Sequence, residues 1–332
     1  MDTLTHGLLG VALSALPLPR RLEPTGSVPM RASLLVSVLA AELPDLDYLL
    51  PADDQVLHTL SAHRGYSHSL LAVPLVALVA ALLTKALFRS AAFKALYGRA
   101  LLVVPLAHLL PDLWTGWGTR LFLPFSERRL ALDWTMVIDP LVTAPLLVAA
   151  VWSLARRQHF RRAMALGAST AALYVAARVA FSAHLTNQVS GAHPGASSVH
   201  VFPSLLGVAK WRYVARFGEE YAAGYVSLGS APAEAARHRA WPSGPLAADL
   251  REVATVSEAL RWARFPVVRS EPLSGGTRRV TVADLRYHLG GQPSLTFVID
   301  VDPRGQVQNA RLDRGGDPAE LLRRARDGVH AN

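Results

Sequence analysis

The sequence predicts a membrane all-α bundle of about six helices, the first short or re-entrant, followed by a soluble α+β domain with mainly antiparallel strands. Three observations predict it. Apolar residues make up 51% of the 332 and charged ones only 18%, a poorer charge content than an ordinary globular domain has. The apolar bias is concentrated in the first half, in runs approaching the roughly 20 residues that cross a bilayer core. After about Asn187 the chain changes to short stretches rich in aromatic and β-branched residues, as strands are.

The first segment, Leu4 to Pro19, is short for a span, which implies a tilted, half-inserted or re-entrant helix. Ser33 to Leu50 is apolar until its acidic end. Ser69 to Phe88 has one charge, Lys85 near its end, and is the clearest span. Arg99 to Trp117, Met136 to Ala155 and Ala163 to Ser182 are of similar length. Burial inside a large soluble helical protein is disfavoured by so many near-spanning runs. Asp2 stands where a cleavable signal would be positive, so the N-terminus does not read as a signal peptide.

The connections after the first, third and fifth segments hold Arg20, Arg21, Arg31, Arg89, Lys94, Arg99, Arg156, Arg157, Arg161 and Arg162. Those after the second and fourth hold only Arg64, Arg120, Arg128 and Arg129. Basic loops stay in the cytoplasm. Six segments in an inner (plasma) membrane then put the N-terminus and everything after Ser182 outside the cytoplasm.

The expected division is a transmembrane domain over 1–187 and an extracytoplasmic domain over 199–332, with His193 to Ser198 as linker. Val199–Leu206, Trp211–Phe217, Tyr221–Leu228, Phe265–Arg269, Arg278–Tyr287, Ser294–Val301 and Val307–Leu312 read as strands, and Asp302-Pro303-Arg304-Gly305 as a turn. Leu246 to Ala263 has helical spacing. The formal charge of +9 includes a tail with 18 Lys/Arg against 14 Asp/Glu from Ala183 onward. With no basic run interleaved with aromatics, the excess points to membrane orientation and anionic lipids rather than nucleic acid. Cysteine is absent, which removes thiolate chemistry.

Four polar clusters interrupt the apolar half: Asp2–His6, Glu42–Asp47, His63–Ser69 and His108–Asp112. With alternating spans all four fall on one side of the membrane, where chance would scatter such costly groups over both. His108 and Asp112 are spaced i, i+4 and share a helix face, with Pro111 as a local distortion between them. Asp45 and Asp47 follow Pro44 in a turn; His63 and His68 flank Gly65. The candidate metal ligands are therefore His6, Asp45, Asp47, His63, His68, His108 and Asp112. Imidazole and carboxylate without thiolate suit zinc above all, then manganese or iron, as one ion or two. Such an ion lowers the pKa of a bound water and polarises a phosphoryl or acyl oxygen. Asp47 and Arg64 are the candidate catalytic groups, Arg64 for developing negative charge. Asp2 and Thr5 read as cap and supporting residues, Glu42 as a hydrogen-bond partner, Arg178 as a packing residue, and His184, Asp133 and Asp139 as structural.

In this order the clusters resemble the YdjM-type family of membrane-bound metal-dependent hydrolases. Met1-Asp2-Thr3-Leu4-Thr5-His6 with Gly10, Pro44-Asp45-Leu46-Asp47, His63-Arg64-Gly65-Tyr66-Ser67-His68-Ser69, and His108 with Asp112 and Thr115 are similar to its successive motifs. Gly118-Thr119-Arg120, Pro124-Phe125-Ser126 and Asp139-Pro140 resemble its next stretch. Trp211-Arg212-Tyr213, Arg261 to Pro266 and Ala283 to Tyr287 resemble the tail of its long form. Ser67 departs from the more frequent threonine but keeps the hydroxyl. The resemblance implies metal-dependent hydrolysis in a membrane, and the one-sided ligand set adds the expectation of a phosphoester, ester or lipid-linked envelope substrate. The alternative is a non-catalytic membrane protein stapled by metal, whose tail binds or regulates a partner. Transport is disfavoured because the cytoplasmic half has no matching acidic or histidine path.

Overall fold

Asp2, in an extended conformation, caps the first helix, α1 (Thr3–Ser14), by accepting the Thr5 N–H at 3.0 Å. A carboxylate at this position satisfies an orphan donor and meets the positive end of the helix dipole. These are features of a computed structural model that describes residues 1–18, 28–204, 209–240, 245–289 and 292–313. Arg20 and Arg21, two of the basic loop residues counted above, lie outside the described residues, as does the tail from 314 on.

α1 packs on α2 (Met30–Glu42), with Gly10 at the closest approach. A Cβ on Gly10 would stand 2.7 Å from the Ser37 carbonyl oxygen and 3.1 Å from the Ala41 Cβ. Gly10→Val is therefore expected to force the pair apart and lower stability by about 1–3 kcal/mol. A thermal melt in detergent checks this, and an unshifted transition would mean the contact is slack.

Pro44 has no N–H with which to continue α2, and the chain tightens into a 3₁₀ helix over Leu43–Leu49. The apolar run from Ser33 to Leu50 is thus two pieces, the second carrying Asp45 and Asp47. After α3 (Gln55–Ser61) a short 3₁₀ turn, Tyr66–His68, leads to Ser69, whose hydroxyl accepts the Ala72 N–H at 3.2 Å. Then come α4 (Val73–Leu87) and α5 (Phe93–Val103), which passes through a π-helical stretch, Val104–Leu109, into α6 (Leu110–Trp114). Asp139 caps α7 (Pro140–Ala155), and α8 spans Phe160–Ala192.

Among the described residues three stretches are long and apolar enough to cross a membrane: Leu70–Leu87, Phe93–Trp114 and Arg157–Ala192. Thr3–Ser14 and Pro140–Ala155 are apolar but shorter. Of the about six expected spans these three reach that length, and Pro44 and Pro140 bound shorter helices inside runs that hydropathy reads as continuous. Small residues dominate the contacts: Ala32, Ala40 and Ala41 of α2, Ala77, Ala80 and Ala81 of α4, and Ala100 of α5 are buried in one cluster. Such residues let helix backbones approach closely where lipid offers no hydrophobic drive to association.

The chain divides into two units, Met1–Leu50 with Ala62–Val179, and Pro51–Ser61 with Ala180–Asn332. One passage between the units falls inside α8, where Leu185 and Val189 are buried with Val201, Trp211 and Tyr213. The second unit also takes in α3, where Val56 and Leu60 are buried.

In that unit β1 (Ser198–Phe202), β2 (Lys210–Phe217), β3 (Glu220–Ser227) and β4 (Ser230–Arg239) form an antiparallel sheet in chain order. After α9 (Pro245–Glu252) and α10 (Ala254–Trp262) come β5 (Pro266–Pro272), β6 (Arg278–Asp284), β7 (His288–Leu289), β8 (Gln292–Pro293), β9 (Thr296–Val301) and β10 (Val307–Asp313). The second sheet has the order β10-β9-β6-β5, and β7 pairs with β8. All pairings are antiparallel, as expected from the sequence. The helix expected over Leu246–Ala263 is broken at Val253, which is extended. α10 packs on α3, where Thr255 donates its hydroxyl to Asp54 at 2.5 Å.

Candidate metal centre

The centre is built from side chains whose orientation is set by backbone carbonyls. Ala41 lies in the last turn of α2, where carbonyls have no helical N–H to accept. Its oxygen lies 2.6 Å from His108 Nδ1. Pro111 has no N–H to offer the carbonyl four residues before it, Ala107, and that oxygen lies 2.8 Å from His6 Nδ1. A carbonyl only accepts, so both Nδ1 atoms carry the proton and both Nε2 atoms have a bare lone pair. His68 follows the same rule. Its Nδ1 lies 2.9 Å from Ser67 Oγ, whose own proton goes to Asp47, so Nδ1 donates here too.

The Nε2 atoms of His68 and His108 thus face one place, and His6 Nε2 lies beside it, 3.3 Å from Asp112 Oδ1. His6 and His108 stack with ring centroids 4.1 Å apart, and His68 Nε2 stands 2.9 Å from His108 Nε2. Two carboxylates join them. Asp45 Oδ1 lies 3.1 Å from His68 Nε2 and 3.6 Å from His108 Nε2; Asp112 Oδ2 lies 3.4 Å and 3.8 Å from the same two atoms. Asp45, His68, His108 and Asp112 all offer donor atoms within 4.8 Å of one another. A second group, Asp47, His63 and His68, does the same nearby. The i, i+4 pair survives the distortion expected at Pro111, since the π-helical stretch ends one residue beyond His108 and α6 carries Asp112.

Arg64 also belongs to the centre, in a different place from the one the sequence suggested. Its Nη2 donates to Asp112 Oδ1 at 2.8 Å and its Nη1 to Thr115 Oγ1 at 2.9 Å. Arg64 itself, rather than Gly65, has the left-handed backbone, at φ 56°. Such a residue persists only where its surroundings over-determine it. The Met1 amino group meets the same Asp112 oxygen.

The residues fit a divalent cation. His6 Nε2 and Asp112 Oδ2 are buried without a hydrogen-bond partner, an expensive arrangement for polar atoms. Two lone pairs facing each other at 2.9 Å repel unless something positive lies beside them. Neighbouring donors that share an ion at roughly 2 Å stand about 3 Å apart. Hydrogen-bonding the far nitrogen of each imidazole is also what orients metal-ligating histidines. Burial by itself lowers the pKa of His68, but its contacts with Asp45 and Asp47 and the charge of Asp112 outweigh that and raise it, so a proton and a cation compete for the Nε2 lone pair of the neutral ring. The same negative field attracts a cation. For Asp47, burial acts upward, and hydrogen bonds from His63, His68 and Ser67 bring the carboxyl below its usual range.

All seven sequence-selected ligand candidates lie in or beside this cluster. His6, His68, His108 and Asp112 are wholly buried, while the side chains of Asp45, Asp47 and His63 keep 19%, 11% and 16% exposure. His63 Nδ1 lies 2.9 Å from Asp47 Oδ1. Thr5 supports the N-terminal motif, its hydroxyl 2.6 Å from that of Thr143 on α7. Asp139 caps α7 and accepts from Tyr174 at 3.2 Å, and Arg178 Nε donates to the Trp134 carbonyl at 3.1 Å. Sequence reasoning missed the carbonyls of Ala41 and Ala107; their only written signals are the helix end before Pro44 and the proline at 111.

Comparison with known proteins adds three findings. The family described as YdjM inner membrane protein matches residues 1–185, more than half of the chain. A curated relative, "Uncharacterized protein YfhP" of Bacillus subtilis (strain 168), is 31% identical over 156 residues, which cover 46% of this chain and 46% of that one. The chain thus aligns with about half the length of this relative. No solved structure matches.

Proposed function

This chain belongs to the YdjM inner membrane protein family, and from that premise we propose that it is a membrane-embedded metal-dependent hydrolase. The observation that carries the reading is the convergence of the His68 and His108 Nε2 atoms with Asp45 and Asp112, with His6 beside them. A divalent ion, zinc before manganese or iron, singly or as a pair, supplies Lewis acidity and a water-derived nucleophile at neutral pH when bound. His6, Asp45, His68, His108 and Asp112 hold it. Arg64 fixes the Asp112 carboxylate and offsets its charge. Asp47 orients His63 on the more open rim, where the imidazole exchanges protons with the attacking group and the substrate.

The substrate is an amphiphile with a phosphoester or ester group, of the lipid-linked envelope kind. Exposed apolar side chains flank the centre in sequence: Leu46, Tyr48 and Leu49 about Asp47, and Tyr66, Leu70 and Leu71 about the segment that carries the buried His68. They suit contact with membrane lipid. The loop charges favour a centre and tail outside the cytoplasm of an inner membrane.

The test is hydrolysis of generic phosphoesters and esters by detergent-purified protein, with metal content measured in parallel. EDTA is expected to abolish turnover and zinc or manganese to restore it. Protein that holds metal yet hydrolyses nothing, while EDTA only lowers its melting temperature, would support the second reading instead. In that reading the ion staples the helices and the tail serves a partner; the full burial of four ligands favours it, since structural metal sites are closed.

A further inference from the structure

The connection between α7 and α8 carries four arginines in seven positions, Arg156, Arg157, Arg161 and Arg162. All four are exposed, and among the described residues none of their guanidinium groups makes a hydrogen bond or an ion pair. Other arginines of the same unit are engaged. Arg64 holds Asp112, Arg99 donates to the carbonyls of Leu13 and Leu16 at 3.1 Å and 3.2 Å, and Arg178 donates to that of Trp134. The first turn of α8 has no acidic residue to offset the four, so the positive end of a 33-residue helix adds to their field.

The base under these charges is fixed. Gly167 lies two turns into α8, where an added Cβ would stand 2.7 Å from the Pro145 carbonyl oxygen and 2.8 Å from the Ala149 Cβ, so the two helix backbones touch just beyond the connection. Met164 is wholly buried in one cluster with Leu146 and Ala149 of α7, and Phe160 packs against that cluster. A 3₁₀ turn, Arg157–His159, closes the hairpin. Four like charges held on such a base repel one another, and an anion among them relieves the repulsion.

The apolar neighbours select the kind of anion. Trp152 and Leu154 of α7 are 58% and 77% exposed and Leu166 of α8 is 70% exposed, all within about one helical turn of an arginine. The stretch Arg157–Ala192 is long and apolar enough to cross a membrane. A soluble anion would leave these side chains uncovered, whereas an amphiphile brings phosphate to guanidinium and hydrocarbon to leucine and tryptophan. Orientation by loop charge requires only that arginines stand in the loop. Their confinement to one rigid turn between apolar walls makes a site.

We propose that the α7–α8 turn binds the headgroup of an anionic phospholipid, its phosphate among Arg156, Arg157, Arg161 and Arg162 and its acyl chains along Trp152, Leu154 and Leu166. The inference is independent of the metal centre.

Native mass spectrometry of the full chain in detergent, titrated with phosphatidylglycerol or with phosphatidylcholine of the same acyl chains, tests it. Phosphatidylglycerol is expected to bind about tenfold or more tighter. Arg156→Gln with Arg157→Gln, and Arg161→Gln with Arg162→Gln, should each weaken its binding about tenfold or more, at roughly fivefold per charge, while the melting temperature in detergent holds. Arg89→Gln with Lys94→Gln, at the connection between α4 and α5, should change it little. Equal affinity for the two lipids, a preference that survives both arginine double variants, or an equal loss in the Arg89 and Lys94 variant would overturn the proposal. So would displacement of the lipid by an equal concentration of soluble glycerol phosphate.

Discussion

His68→Ala is expected to leave the purified protein without bound metal and without hydrolytic activity, while it still inserts in the membrane. His68 is the one residue common to both donor groups, the buried one with Asp45, His108 and Asp112 and the more open one with Asp47 and His63. Its removal deletes a donor and also breaks the relay through Ser67 to Asp47. The milder Ser67→Ala keeps the imidazole but frees its orientation, and a loss of about 10–100-fold in metal affinity follows from the usual worth of such supports. Elemental analysis of both variants beside His184→Ala, a histidine outside the cluster, gives the answer. Equal metal content in all three would refute the centre.

Arg64→Met is expected to destabilise the metal-free protein by about 1–3 kcal/mol, because it takes one charged partner from the buried Asp112 carboxylate and leaves the Met1 amino group to offset it alone. Arg64 is 3% exposed and Asp112 wholly buried, so water cannot take over the role. A divalent ion replaces the missing positive charge, so added zinc should recover more stability in the variant than in the parent protein. Melting curves with EDTA and with zinc measure that difference. If zinc stabilised both by the same amount, Asp112 would not be shared between guanidinium and metal.

Much of the centre is written in the primary structure. His108 and Asp112 are legible from i, i+4 spacing, and Asp45 and Asp47 from the proline before them. That these groups meet follows from apolar runs that bring alternate ends to one side. Their tautomers are not legible, because the locking groups are main-chain carbonyls that every residue possesses. Arg64 reads in sequence as a cation available to substrate; only the packing shows its guanidinium turned to Asp112 and Thr115. In the tail, β4 (SAPAEAARHR) has no strand signature in its sequence, since alanine and charge are poor strand formers. It forms because β3 gives it a partner across a tight turn, a tertiary effect that outweighs propensity. The break of the 246–263 helix at Val253 likewise lacks a proline or glycine to announce it.

The excursion from Pro51 to Ser61 gives the molecule an unusual connectivity. The chain passes between its two units three times, after Leu50, after Ser61 and after Val179. A single protease cut in the stretch following Ala192 would therefore not yield two separable fragments. The C-terminal piece would remain clasped around a loop whose ends both run back into the N-terminal piece, and the nicked halves should migrate together until denatured.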